Sequence, residues 1–315
     1  MYTLTQSINW SQAFYEYAPV TAGLGQEPAV STANMIRDTL TGPPMTWPWN
    51  RAVFQLDAPT TVGEQDYPVP LSSIPDFGFL EKVTLTETTG ANTGKVWEIK
   101  DIYNNLSMSR DADKQRPNSA CVFTLSSTQL LLRFIGVPNA AYTVTLIYQK
   151  RPVMFGPYII SAAGNESAGD TVYTGTFDPL AFPDGAVAQI TGFKTNIVNN
   201  GSFVVVNCTA TALTVVNAAG VAETITAYAN NFDWGPIPDS YQDIYNNLFL
   251  SEMFAVEDDA RSQTYRQRGI AAFLSKAEGL TQLQRNAFVQ QWLARGIESA
   301  SSAQTAQLGS QARGV

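Results

Sequence analysis

Two groups of acidic residues are where residue type and spacing come closest to chemistry. Asp111 with Asp113, and the run Glu257, Asp258 and Asp259, each bring carboxylates together. Paired carboxylates are what glycoside hydrolysis or Ca²⁺ binding requires. Both groups have simpler readings. Asp111 and Asp113 stand beside Arg110, Lys114 and Arg116 in a charged loop, and the second run falls where a helix is expected to start, so solvated and capping roles account for them. No Asp-x-Asp-x-Asp-Gly spacing occurs, and Gly23-Leu-Gly25 lacks the third glycine, the preceding strand and the Lys-Ser/Thr ending of a phosphate loop. The chain contains no histidine, which removes the commonest general base and metal ligand and every Ser-His or Cys-His nucleophile pair. Cys121 and Cys208 lie in separate strand-like stretches and read as two free thiols rather than a disulfide or zinc site. The expectation is a chain that is not an enzyme and uses no metal or cofactor.

The 315 residues suffice for about two domains and a sizeable core without disulfides. Charged residues make up 15%, below the roughly 25% of an average domain, while the apolar share is 44%. Neutral polar residues fill the gap, and such surfaces suit permanent subunit contacts. With 19 basic against 27 acidic residues, the net charge of −8 argues against a nucleic-acid reader, because counterion release needs clustered Lys and Arg. Neither a signal peptide nor an apolar run of roughly 18 residues appears, so a protein made in the cytoplasm and kept out of membranes is expected.

The elements that would carry these residues follow from periodicity. Ala29, Ala33, Ile36 and Leu40 fall at helical spacing between Pro28 and Gly42-Pro-Pro44, predicting a helix over 28–40. Trp47 and Trp49 flank Pro48, which bars continuation of that helix. The period is then 2, with strands expected at 52–56, 77–87, 95–103, 120–125, 129–135 and 142–150. Tyr142, Val144, Leu146 and Tyr148 share one face of the last. Residues 156–237 hold six acids (Glu166, Asp170, Asp178, Asp184, Glu223, Asp233) against Lys194, a balance of −5, and read as a small inserted β-domain that should be removable. Within it Asn199-Asn-Gly201 and Asn217 to Gly220 are expected hairpin turns. Helical spacing returns at Tyr241, Ile244, Tyr245 and Leu248, behind Ser240 and Asp243 as a capping box. A second helix, with Arg261, Arg266 and Arg268 on its outside, runs towards Lys276 and Gly279. A third opens on the capping box Thr281-Gln-Leu-Gln284 and carries Leu283, Ala287, Phe288 and Trp292. The expected class is α+β: a helical bundle from 1–46 and 238–295, an antiparallel sandwich or barrel-like region at 47–155, the inserted all-β domain at 156–237, and a polar tail at 296–315 ordered on assembly.

This arrangement, with the phrases Gly42-Pro-Pro-Met-Thr-Trp-Pro-Trp-Asn-Arg51, Gly136-Val-Pro-Asn-Ala-Ala-Tyr-Thr-Val-Thr-Leu-Ile-Tyr-Gln-Lys150 and Gln282-Leu-Gln-Arg-Asn-Ala-Phe288, resembles tailed-phage head-to-tail connector proteins of the adaptor or tail-tubular type. The resemblance implies a virion protein at the head–tail junction and a closed ring of about twelve copies. It also implies portal and tail or nozzle proteins as partners, and DNA passing through the ring without specific binding. The portal contacts expected on this reading are Arg285, Phe288, Trp292, Leu308 and Arg313. Trp47, Trp49, Arg51, Tyr142 and Tyr148 are expected at the subunit interface or as core anchors. The competing reading is a carbohydrate- or receptor-binding virion protein, with Trp97 or Trp234 open in a groove; a glycosidase comes third.

Overall fold

Alternation in Tyr142-Thr-Val-Thr-Leu-Ile-Tyr148 organises the middle of the chain, because every second side chain there is buried and those between are not. The computed structural model describes residues 3–12, 29–90, 92–99, 101–103, 114–126, 128–165, 169–231, 233–256 and 259–294. The fold is α+β, and the chain divides into two units, Thr46–Arg151 and a second formed by Met1–Met45 with Pro152–Val315.

In the first unit β1 (Arg51–Gln55), β10 (Tyr142–Lys150), β3 (Phe77–Glu87) and β4 (Val96–Glu98) form one four-stranded sheet. A second is made of β2 (Asp66–Pro70), β8 (Gln129–Ile135), β7 (Ser119–Ser126) and β5 (Asp101–Tyr103), with β6 (Lys114–Gln115) and β9 (Val137–Pro138) pairing separately. The two larger sheets share a core in which Leu80, Val83, Val144 and Leu146 meet Val122, Leu130, Leu132 and Phe134. The expected strand at 95–103 is two strands in different sheets, and β5 runs parallel to β7. Strand β2 was not foreseen, since Pro68 and Pro70 argue against a strand. It is an edge strand, where a missing N–H is tolerated, and Arg133 grips Asp66 from β8 at 2.6 and 2.9 Å.

In the second unit β11 (Tyr158–Asn165), β12 (Asp170–Gly175), β13 (Val187–Thr191), β14 (Gly201–Cys208), β15 (Ala212–Val216) and β16 (Glu223–Asn231) close into a barrel in the order β11-β12-β15-β14-β13-β16. Its interior is filled by side chains such as Ile160, Tyr173, Ile190, Leu213 and Ala227. Two turn expectations need correction. The link from β13 to β14 is the long loop 192–200 rather than a tight Asn-Gly turn, and Asn217 to Gly220 does not make a hairpin, because β15 pairs with β12 and β14 and not with β16. A Gly-containing turn marks a reversal but cannot say which strand the chain next pairs with.

The helices of this unit are α1 (Leu4–Gln12), α2 (Ala29–Thr41), α3 (Gln242–Val256), α4 (Arg261–Lys276) and α5 over 282–294. Helix α3 packs against α1, α2 and α4, and Ile244, Leu248, Phe249, Leu250 and Phe254 are all fully buried around it. Gly269 lets α4 come this close: a Cβ there would lie 2.6 Å from the Leu248 side chain. Helix α1 was unforeseen, being short and polar, yet Thr3 and Gln6 cap each other's backbone N–H groups. The same box forms between Thr281 and Gln284 as expected. Ser240 and Asp243 do not form one, because Asp243 pairs with Lys276 and the Ser240 carbonyl accepts from the same ammonium. Arg266 is likewise not on the outside of α4 but buried against Glu252 of α3.

The barrel is tied to the helices by α2. Arg37, 1% exposed, donates to the carbonyls of Val153, before the first barrel strand, and Asp233, after the last. Its guanidinium lies 3.7 Å from the centroid of the Phe155 ring. One turn earlier, the Asn34 amide donates to the Gly156 carbonyl at 2.7 Å and accepts from the Phe155 N–H at 2.6 Å. Trp234 stacks on Tyr245 of α3 at 4.3 Å and donates to Ser7 of α1 at 3.0 Å. Burial pulls the Arg37 pKa down to about 9, against the attraction of Asp233. Arg37→Met leaves two buried carbonyls without donors and should cost about 2 to 4 kcal/mol in chemical denaturation; Arg37→Lys, with one donor centre in place of a fork, should recover less than half of that.

Candidate assembly surfaces

The five residues expected at a subunit interface or as core anchors all lie in the Thr46–Arg151 unit. Trp47 is buried and stacks on the partly buried Trp49 at 5.4 Å. Tyr142 and Tyr148 are buried in the shared core, their hydroxyls donating to Asn139 and Asp76 at 2.7 Å each. Burial pushes both phenols above their ordinary pKa, and Asp76 adds to the effect at Tyr148. Arg51 alone faces solvent, and its guanidinium forks onto Glu81, which also accepts from Gln149. Burial places Trp47, Tyr142 and Tyr148 inside the unit and Trp49 partly so, with Arg51 at the surface.

On α5 the buried positions are Gln284, Phe288 and Trp292, at i, i+4 and i+8. Phe288 stacks on Phe273 of α4 with centroids 3.6 Å apart, and Trp292 packs against Phe288. Gln284 and Gln291 reach back to Pro44 and Thr39 at 2.6 and 3.4 Å. Phe288 and Trp292, expected to contact a partner, are therefore turned into the chain. Arg285 is also occupied, donating to the carbonyls of Leu280 and Glu278 at 3.0 and 3.1 Å. What α5 presents outward is Leu283 at 77% exposure and Leu293 at 47%, with the amides of Asn286 and Gln290 between them and Gln282 beside Leu283. Leu283 and Leu293 lie off the buried 284-288-292 stripe, and that phase was the signal for their exposure. Leu308 and Arg313, with the tail at 296–315, fall outside the described residues.

A second surface forms at one end of the barrel. Tyr158 pairs with Ala229, so the chain enters and leaves together at the end held by α2. The loops 192–200 and 217–222 lie at the opposite end, and asparagine amides hold them as backbone amides would. Asn199 exchanges two hydrogen bonds with Val221 at 2.8 and 2.9 Å, and Asn200 exchanges two with Phe193 at 2.7 and 2.9 Å. Asn217 donates to Val198 at 3.1 Å. Glu223 accepts from the N–H of Asn196 at 2.9 Å, and Thr171 donates to the Asn217 carbonyl at 2.7 Å. Gly220 presses on Thr171 so closely that a Cβ would lie 1.7 Å from its hydroxyl. This scaffold carries Ile197, Val198, Val216 and Val221, exposed by 71, 43, 54 and 43%.

Of the acidic residues singled out from sequence as candidates for chemistry, only Asp259 lies among the described residues. Asp111, Asp113, Glu257 and Asp258 fall outside the described residues, as does Gly23-Leu-Gly25. Asp259 accepts the N–H of Arg261 at 2.8 Å, the capping role expected for it. Among the described residues no three His, Cys, Asp or Glu side chains come together as a metal set, and no helix is long and apolar enough to cross a membrane. Trp234 is buried, while Trp97 has Arg116 over its ring and Tyr142 at its edge. No protein-family model matches the sequence, and no characterised protein matches it significantly.

Both cysteines are free thiols, Cys121 buried and Cys208 partly so. Burial, helped by Asp178 and Asp184, raises the Cys208 pKa from 9.0 to about 11. Between those values the folded thiol keeps a proton that the unfolded one has lost, so its contribution to stability falls as pH rises through that window. Alkylation of Cys208 should accordingly climb with pH up to about 11, and at pH 8 should run about a hundredfold slower than a free thiol. Cys121 should react only on unfolding. Mass spectrometry of iodoacetamide-treated protein distinguishes the two sites.

Proposed function

We propose that the chain is a structural virion protein, a ring-forming adaptor that joins a portal to a tail and lines the channel through which DNA leaves. The observation that carries this reading is the outward face of α5. Leu283 and Leu293 are exposed with only neutral amides between them, and Arg285, the one charged side chain at 282–294, is drawn onto the chain's own carbonyls. A face without free charge and with two open leucines has the composition of a surface buried in a permanent assembly. On this reading the helices form a portal-docking bundle and the barrel is an inserted module. Copies close a ring of about twelve through heterologous contacts. The net charge of −8 suits a channel that must not hold DNA. The motif phrases that resemble phage connector proteins support the same assignment, and the role expected of Phe288 and Trp292 passes to Leu283 and Leu293.

Replacing Leu283 and Leu293 together by Asp should leave thermal stability within about 0.5 kcal/mol, since both are exposed, and should abolish association with the portal ring. Phe288→Ala should instead cost about 3 to 5 kcal/mol of fold stability. Cryo-EM of particles decides the reading: ring stoichiometry beneath the portal is expected, and particles that assemble fully with the Asp pair, or carry the chain at sub-ring copy number, would overturn it.

A further inference from the structure

We propose that the Thr46–Arg151 unit joins a second copy of itself edge to edge, β1 of one copy pairing with β4 of the next so that Val53 lies opposite Val96 and Arg51 opposite Glu98. The proposal deepens the ring reading, and rests on it only for the closing of successive copies into a circle.

The sheet β1-β10-β3-β4 has an edge strand at each side, and among the described residues no further strand pairs with either. Edges that must stay single are blunted by proline or lysine, as β2 of the other sheet is by Pro68 and Pro70. Strand β1, Arg-Ala-Val-Phe-Gln, has neither, and its central Val53 is 66% exposed. On β4 Val96 is 63% exposed. Both valines stand on the sheet face turned away from the core: Val53 is opposite Ile147, and Val96 is opposite Thr86, itself opposite Thr143.

Direction, backbone phase and charge agree on how these edges meet. Every neighbouring pair in the sheet is antiparallel, so β1 and β4 run in opposite directions and a following copy continues the alternation. Leu56 N–H donates to Val144 of β10 at 3.0 Å, so the backbone groups of 52 and 54 face β10 and those of 51, 53 and 55 face out. The Lys95 carbonyl accepts from Glu87 at 3.1 Å and Ile99 N–H donates to Val83 at 2.9 Å, which turns the groups of 96 and 98 out. Setting Val53 against Val96 therefore matches outward groups on both strands, and the same register sets Arg51 against Glu98. Arg51 already forks onto Glu81, and Lys82 holds Glu98 at 2.7 Å. Joined, these four side chains alternate in sign across the two copies. On the core side Ala52 falls opposite Trp97, both partly buried at their own edges, and the small residue makes room for the indole. The occupant is a second copy because the strand that complements β1 in direction, face, phase and charge is on this chain.

The test uses the full-length chain, in assembled particles and as concentrated free protein, carrying Val53→Cys and Val96→Cys with Cys208→Ser to remove the more accessible native thiol. Directly opposed residues would have Cα atoms about 5.5 Å apart, within reach of the short thiol crosslinker dibromobimane. A ladder of covalent multimers is expected from the double variant, dimers only from a mixture of the two single variants, and no product from either single variant alone. Arg51→Glu should lower the yield about threefold, and Glu98→Arg added to it should restore the yield. Both valines are exposed, so melting temperature should not move. A dimer from Val53→Cys alone, equal yield from the off-register pair Gln55→Cys with Val96→Cys, or no ladder in either sample would overturn the proposal, whatever the ring copy number. A ladder with sub-ring copy number in particles would instead keep this contact and overturn the ring, so the two readings fail separately.

Discussion

A guanidinium removed from water must find acceptors, and Arg37 finds them in two stretches of chain far apart in sequence, the carbonyls of Val153 and Asp233. Helix α2 thereby sets where the barrel begins and where it ends. Phe155 under the guanidinium, Trp234 stacked on Tyr245, and the Trp234 bond to Ser7 extend the same junction into α3 and α1. A buried, charged fork is a costly way to join two segments, but it has a directionality that an apolar contact lacks. Removing the barrel cleanly would therefore require keeping residues 153–156 and 233–234, which α2 holds.

Neutral polar side chains do much of the remaining positioning. Thr3 with Gln6 and Thr281 with Gln284 close helix ends reciprocally, and Asn199, Asn200 and Asn217 stand in for peptide groups at the barrel tip. An amide side chain carries the same donor and acceptor as the backbone, so it can extend pairing where strands have ended. The scarcity of charge thus has an internal cause as well as an external one: many amides counted in the composition are engaged within the fold.

Where one side of an element is buried, its position could be read from sequence. Strand β10 and helix α2 lie within a residue of expectation because their apolar residues keep strict periods of 2 and 3.6. Strand β2 was hidden because proline's objection to a strand lapses at an edge, and α1 because its cap matters more than its apolar content. Closure of the barrel could not be read, since local pattern does not reveal that β15 pairs with β12 and β14. The assembly surfaces were half visible. The terminal helix is legible from its capping box, and the 284-288-292 spacing that puts Phe288 and Trp292 on one stripe is as compatible with the core they fill as with a partner. Asn199-Asn-Gly201, by contrast, gives no sign of the nine-residue loop 192–200 that carries Ile197.

The entry and exit of the barrel side by side have a mechanical meaning. Strands β11 and β16 are neighbours, and Tyr158 and Ala229 mark the end at which both connect to the rest of the unit. Tension between those two connections would not shear the pair along its length, loading all its hydrogen bonds together. It would peel them apart one at a time, the weaker geometry for any sheet. Because the Arg37 fork joins the two connections just outside the barrel, a pull arriving from either side meets α2 first, and the zipper behind it bears load only after that fork has opened.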